Sequence, residues 1–316
     1  MADRPLILGV DGGGSKTVAC LAQLDVDTIE PGWNLLGQGR STISNQQAAG
    51  QTRATEALEE AITGAFDDAG LSMQPISSIC LALAGCDRAN DKDFIRRWAD
   101  KFIPAEQICI VNDAEPLLVA GTPDRWGITL IAGTGSLSWG RNANGKTARA
   151  GGWGYLIGDE GSGFYCGQAA LRAATQNADD RGPATTLLPK LLEYFQCQSP
   201  EELVTAVYHR DQPQAEIAAL APLVLTEAIA EDSVAMGIIT QASQSLVTMV
   251  ESVVSQLALP VPFPLVLAGG LLTGSPLLQE LICQQLQDRD LTPDPLQILT
   301  SSVQGALQLA QQMHRP

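Results

Sequence analysis

The tightest constraint on this chain lies near its start, where Leu6–Thr17 reads LILGVDGGGSKT. An apolar run of strand length meets an acid, three glycines and then Ser15, Lys16 and Thr17, the order expected of a strand, a tight turn and a second strand. Consecutive glycines let the backbone take positive φ and approach a ligand closely, and successive N–H groups in such a turn form an anion-binding nest. Asp11 does not suit a bare phosphate. A carboxylate there repels phosphate unless a divalent cation stands between them, which points to a metal–nucleotide site. Read alone, the stretch also fits an ordinary glycine-rich hairpin.

At 316 residues the chain is long enough for two domains, and a hydrophobic fraction of 45% supplies sizeable cores. The net charge of −16 argues against nucleic-acid or anionic-lipid partners, which need clustered Lys and Arg. Seven cysteines, Cys20, Cys80, Cys86, Cys109, Cys166, Cys197 and Cys283, form no C-x-x-C pair and fit reduced thiols in a cytoplasmic protein. His209 and His314 are the only histidines. Neither has a plausible metal partner nearby, so a zinc site or a His-activated nucleophile is not expected. The opening MADRP lacks the apolar core of a signal peptide, and the apolar stretch Leu246–Gly270 is broken by Glu251 and three prolines, so no membrane span is expected.

Along the chain, Leu6–Val10, Val18–Leu24 and Trp33–Gln38 read as a β-meander. Ser44 and Asn45 precede a long helical pattern, where cap duty alone would explain them. Ala54–Ala69 carries a helical apolar stripe closed by Gly70. Ile76–Ala84 reads as a strand, Phe94–Phe102 as an amphipathic helix, and Gln107–Val111 as a strand delivering Asn112 and Asp113 at its carboxyl end. Helix, strand, helix, strand is the order of a parallel sheet covered by helices, whose ligands gather at the carboxyl ends of the strands. Asp113 is thus placed for chemistry, or it caps the helix Glu115–Ala120.

The opening grammar then returns. Ile131-Ala132-Gly133-Thr134-Gly135-Ser136 echoes Val10–Ser15, and NANG at Asn142–Gly145 marks a hairpin turn. Two such beginnings suggest duplicated domains, each with one phosphate loop. Gly151–Gly163, GGWGYLIGDEGSG, holds six glycines with Asp159 and Glu160 among them, too many for a regular element. A helix starting at Ser162 offers its N-terminal amides to an anion or a hydroxyl-rich ligand. Proline-broken helices fill the segment from Gly182 to Glu231, and Ser233–Leu259 reads as one long helix. After the buried strand Phe263–Ala268, AGGLLTG turns into the helix Pro276–Gln287; the double glycine suits a flat ring against the backbone, or a plain turn. Leu296–Leu299 and Val303–Met313 complete the chain as strand and helix.

DGGGSKT, IAGTGS and LAGGLLTG resemble the two phosphate motifs and the adenosine motif of the sugar kinase/heat-shock-ATPase/actin superfamily. GTGS followed by GGWGYLIGDEGSG is similar to the N-acetylglucosamine kinase branch of the BadF/BadG/BcrA/BcrD-type ATPase family, and the likeness covers nearly the whole chain. It implies an α/β fold of two duplicated ribonuclease-H-like domains, the actin-like ATPase fold, with an interdomain nucleotide cleft. Residues 1–118 would form the N-terminal domain, with 301–316 packing back on it, and 119–300 the C-terminal domain with a helical insertion at about 182–232.

The resemblance also implies roles. Asp113 falls where the catalytic base takes the proton of the sugar 6-hydroxyl, and Asp11 where an acid serves Mg2+ through water. Gly13, Gly14, Ser15 and Lys16 surround the phosphates of ATP, matched by Gly133, Thr134 and Gly135 in the second clamp. Gly269 and Gly270 fall on the nucleotide side, and Asn45, Gly151, Gly152 and Asp159 on sugar-contacting positions. The implied reaction is phosphorylation of N-acetylglucosamine by ATP, with glucosamine or N-acetylmuramic acid as alternative acceptors and a homodimer as the implied assembly. An iron–sulfur activator ATPase of the wider family would place cysteines beside the phosphate loops, but Ile131 stands there instead and Cys166 is isolated. A catalytically dead relative would have lost the acid or the glycine loops, and all are present.

Overall fold

The computed structural model describes residues 4–25, 32–209 and 213–314, so Met1, Ala2 and Asp3 of the MADRP reading lie outside the described residues. The chain divides into two compact units, Met1–Trp126 with Ser301–Pro316, and Gly127–Thr300.

In the first unit, β1 (Leu6–Gly12), β2 (Thr17–Asp25) and β3 (Gly32–Ser41) form the expected meander. They are followed by α1 (Gln46–Ala49), α2 (Gln51–Asp68), β4 (Ile76–Leu83), α3 (Ala89–Phe102), β5 (Ala105–Val111) and α4 (Ala114–Gly121). The sheet runs β3-β2-β1-β4-β5, antiparallel within the meander and parallel from β1 through β4 to β5. A central strand covered on both faces should be apolar throughout. In β1, Ile7, Leu8 and Val10 are fully buried. Leu8 and Val10 pack with Leu58, Ile62 and Phe66 of α2, each such side chain contributing about 2 kcal/mol of burial. Strand β3 lies so close to α2 that a Cβ on Gly39 would fall 1.9 Å from the Ala61 carbonyl oxygen.

One expectation is corrected here. The helical pattern after Asn45 is not continuous: α1 is a single turn, and Gly50, at φ +81°, separates it from α2. A residue in that left-handed conformation cannot continue a right-handed helix.

The second unit repeats the plan. It holds β6 (Gly127–Ala132), β7 (Ser136–Arg141), β8 (Thr147–Gly151) and α5 (Gly163–Ala178). The segment expected as helical follows as α6 (Leu187–Phe195), α7 (Glu202–Tyr208), α8 (Pro213–Ala218) and α9 (Ala221–Ile229). Three of its prolines mark helix starts: Pro189, Pro213 and Pro222 stand in first turns, where the missing N–H has no helical partner to lose. Then come α10 (Ser233–Leu257), β9 (Phe263–Ala268), α11 (Gly270–Thr273), α12 (Pro276–Gln287) and β10 (Pro293–Leu299). The sheet order, β8-β7-β6-β9-β10, has the same antiparallel and parallel pairings as the first. The fold is therefore two copies of one α/β plan, the ribonuclease-H-like arrangement of actin-like ATPases.

Helix α10 is long and apolar enough to span a membrane by length and composition. In this unit Ile239, Leu246, Val250 and Val253 are fully buried, and the helix packs on β7, β8, α9 and α12. The last helix, α13 (Val303–Met313), belongs to the first unit. Its Val303, Ala306, Leu307 and Ala310 close the sheet face that carries Ile7, Cys80 and Val111.

Candidate active site

The candidate residues form two groups, one in each unit. In the first, the β1–β2 turn is closed by Gly13 N–H donating to the Lys16 carbonyl at 2.9 Å. The Ser44 N–H donates to the Gly13 carbonyl, and the Thr17 hydroxyl lies 2.8 Å from Ser44 Oγ and 2.7 Å from the Thr42 carbonyl. Ser44 therefore braces the turn and caps no helix. Asn45 does cap, its Oδ1 accepting from Gln47 N–H at 3.0 Å, and a Cβ on Gly85 would fall 2.6 Å from the same oxygen.

Asp11 and Asp113 share one edge of the first sheet. Asp11 pairs with Ala82, which in turn pairs with Val111, so two strand spacings, about 10 Å, separate the Asp11 and Val111 backbones. Asp113 lies two residues beyond Val111 and occupies the cap position of α4, yet its side chain makes no capping hydrogen bond. Asn112 performs that duty: its Oδ1 accepts from Ala114 N–H at 3.1 Å and Glu115 N–H at 2.9 Å, and its amide donates to Asp87. Sequence reasoning assigned Asn112 no role, although Asx residues two or three positions before a helical N–H carry that signal. Asp11 has a structural partner as well. Its Oδ2 accepts from Ser302 N–H at 3.1 Å and Ser301 Oγ at 3.3 Å, at the start of α13, where a carboxylate also favours the helix dipole.

In the second unit the matching turn closes in the same way, with Gly133 N–H donating to the Gly135 carbonyl at 2.9 Å. Beside it, Gly269 stands at φ +91°, and a Cβ there would fall 2.4 Å from the Ala132 carbonyl oxygen. A Cβ on Gly133 would lie 3.5 Å from the Gly270 nitrogen, so the β6–β7 turn and the Gly269–Gly270 turn are neighbours. Gly151 ends strand β8 and is not part of the irregular loop, while Gly152 N–H donates to the Ser136 carbonyl at 2.8 Å. Asp159, at φ +60° and 5% exposed, turns toward the phosphate turn and accepts from Ser136 N–H at 3.4 Å. Burial pushes its carboxyl above the usual range, opposed by the N–H groups of Ser136 and Gly154.

These groups fit a magnesium nucleotide. A Cβ on Gly14 or Gly270 would meet nothing within 4 Å, which leaves backbone open to a ligand. Magnesium is commonly held by one or two carboxylates together with phosphate oxygens and water, and Asp11 beside a glycine turn supplies such a carboxylate. Among the described residues no three His, Cys, Asp or Glu side chains gather to hold an ion by themselves. Burial pushes the Cys166 thiol up to about 12 and the Cys86 thiol up to about 11, so both stay protonated as free thiols at neutral pH.

The profile of the BadF/BadG/BcrA/BcrD ATPase family matches residues 8–310. The N-acetylmuramic acid/N-acetylglucosamine kinase of Clostridium acetobutylicum is 36% identical over 253 residues, 80% of each chain. The N-acetyl-D-glucosamine kinase of Dictyostelium discoideum is 31% identical over 97% of this chain and 98% of its own. A crystal structure of a Chromobacterium violaceum protein, 24% identical, shares the fold with a TM-score of 0.78 over 97% of this chain and 99% of that one.

Proposed function

The chain belongs to the BadF/BadG/BcrA/BcrD ATPase family, and from that premise we infer that it is an ATP-dependent amino-sugar kinase acting on the 6-hydroxyl of N-acetylglucosamine. The observation that carries the assignment of the base is the division of labour at the end of β5. Asn112 caps α4, and Asp113 holds the cap position without a capping bond.

Phosphoryl transfer proceeds through a loose transition state, so catalysis is mainly positioning and charge neutralisation. Asp113 orients the sugar hydroxyl and takes its proton as O6 bonds to the γ-phosphorus and the bond to the β-phosphate oxygen breaks, releasing ADP. Amides of Gly13, Gly14, Ser15 and Lys16 and of Gly133, Thr134 and Gly135 hold the phosphates, as anion nests do. Asp11 would hold magnesium, which would supply neutralisation of the phosphate charge. Gly269 and Gly270 meet the nucleoside, and Asn45, Gly151, Gly152 and Asp159 meet the sugar. The free cysteines fit a reducing cytoplasm.

The test is ADP release from purified protein with MgATP and a panel of N-acetylglucosamine, glucosamine and N-acetylmuramic acid. Turnover with N-acetylglucosamine is expected. The Clostridium acetobutylicum relative is named for N-acetylmuramic acid as well, which gives that sugar its place in the panel. ATP turnover indifferent to every amino sugar would overturn the reading.

A further inference from the structure

We propose that Cys80 and Cys109 form a redox-active dithiol, closed to a disulfide by a hydroperoxide and reopened by small thiols, and that closure moves the strand end bearing Asp113. The modification stands apart from the kinase reading, and its effect on turnover rests on that reading. The two cysteines are register partners on the parallel strands β4 and β5. Alternation along each strand turns Ile79, Leu81, Ile108 and Ile110 to the face packed by α2 and α3, and turns Cys80, Ala82, Cys109 and Val111 to the face closed by α13. Both thiols therefore stand on one side of the sheet at neighbouring positions. Strands about 4.8 Å apart place paired Cα atoms inside the range of about 4.4–6.8 Å that a disulfide spans. The thiols already meet: a hydrogen bond from Cys80 holds the Cys109 thiol below its ordinary range, against the burial that pushes it up. Cys80 is fully buried and Cys109 partly exposed, so an oxidant reaches Cys109 while Cys80 waits behind it. A more acidic, accessible thiol beside a second one is the arrangement of redox-sensing cysteines.

The chemistry balances in two steps. The Cys109 thiolate attacks one oxygen of the hydroperoxide, the O–O bond breaks, and the other oxygen leaves with the proton Cys109 gave up, as an alcohol or as water. The Cys80 sulfur then attacks the sulfenic sulfur, the S–O bond breaks, and hydroxide leaves with the Cys80 proton as water. Two thiols lose two electrons and the peroxide gains them. The new bond draws the two Cβ atoms to about 3.8 Å, closer than the strand spacing. Strand β5 is the one that yields, because it lies at the sheet edge with β4 as its neighbour. Asp113 follows Cys109 by four residues, at the end of that strand. A reacting group misplaced by about 1 Å loses on the order of 10² in rate, so the closed form should turn over slowly.

The experiment treats the reduced full-length protein with equimolar hydrogen peroxide and reads intact mass, thiol count and turnover. The mass should drop by two hydrogen atoms, and two of the seven thiols should stop reacting with N-ethylmaleimide in denaturant. A digest without reductant should yield the Cys80 and Cys109 peptides joined. Sugar-dependent ADP release should fall about tenfold or more and return with dithiothreitol, which methionine oxidation would not allow. Cys109→Ser should keep the basal turnover and lose both the crosslink and the peroxide effect. Should that variant not fold, Cys80→Ala serves in its place with the same expectation. Oxygen added without a crosslink, a crosslink between a different pair, or a Cys80–Cys109 disulfide that leaves turnover unchanged overturns the proposal. Failure of the kinase reading looks different: the reduced protein would then turn over no amino sugar, while the mass and the joined peptides would still decide for or against the dithiol.

Discussion

The two units share one strand order and anchor their glycine turns by different means. In the first, the β1–β2 turn is held by hydroxyls and backbone, through Thr17, Ser44 and the Gly13 carbonyl. In the second, the equivalent β6–β7 turn is held by a buried carboxylate and a long glycine-rich loop. The strands that follow differ as well. Strand β5 ends in Asn112 and Asp113, a cap and a side chain without cap duty. Its counterpart β10 ends the second unit, and the Ser301 and Ser302 that follow it belong to the first unit, where they bond Asp11. A duplicated scaffold thus keeps the glycine turns alike and makes the carboxyl ends of the strands unlike. On the kinase proposal, phosphate is met by both turns, whereas a proton acceptor is needed once.

The largest expected effect breaks that asymmetry directly. Replacing Asp113 by Asn removes the proton acceptor and leaves the α4 cap on Asn112, so the helix start should hold while kcat for sugar-dependent ADP release falls roughly 10²–10⁴-fold. A coupled ADP assay beside a thermal melt checks both halves. A variant that loses activity and stability together would show that Asp113 is structural.

A second pair of substitutions sharpens the likeness between units. Gly85 follows β4 as Gly269 follows β9, both with positive φ, +74° and +91°. Alanine at either position is strained by about 1–2 kcal/mol from the left-handed backbone alone. At Gly85 the added methyl meets the Asn45 side chain at 2.6 Å, which can rotate away; at Gly269 it meets the Ala132 backbone at 2.4 Å, which cannot. Gly269→Ala should therefore destabilise by roughly 2–5 kcal/mol, and Gly85→Ala by about 1–2 kcal/mol. Denaturant unfolding separates the two, and equal losses would mean that the two turns tolerate a side chain alike.

Much of this plan could be read from local pattern. Phe263–Ala268, Pro276–Gln287 and Val303–Met313 appear as expected, because an apolar period and clear boundary residues coincide there. Strand β10 starts at Pro293, three residues earlier than expected, since Pro293 and Pro295 read as breakers although an edge strand tolerates proline. The break at Gly50 was hidden because the apolar stripe after it is strong enough to suggest a longer helix. At the candidate site the glycine turns were legible through their repetition. The braces were not: Ser44 on Gly13, Asn112 on α4 and Asp159 on Ser136 are choices among nearby polar residues that only the packed chain makes. Contacts across 23 or more residues, as between Ser136 and Asp159, leave no local signature.

The smallest expected effect tests whether the second unit's anchor carries charge. Burial raises the Asp159 pKa above its unfolded value near 3.9, so the folded protein holds that proton more tightly than the unfolded chain. The sign follows from linkage: between the unfolded value and the raised folded one, stability falls as pH rises and recovers as pH falls. Asp159→Asn has no such proton. The stability of the wild type relative to Asp159→Asn should therefore be lowest near pH 7 and improve as pH is lowered through the folded pKa, flattening below about 3.9. Paired thermal melts across that range cancel every other titration the two proteins share. A difference that stays constant with pH would mean that the carboxylate is as well solvated in the fold as in the unfolded chain, and that the two turns are anchored at equal electrostatic cost.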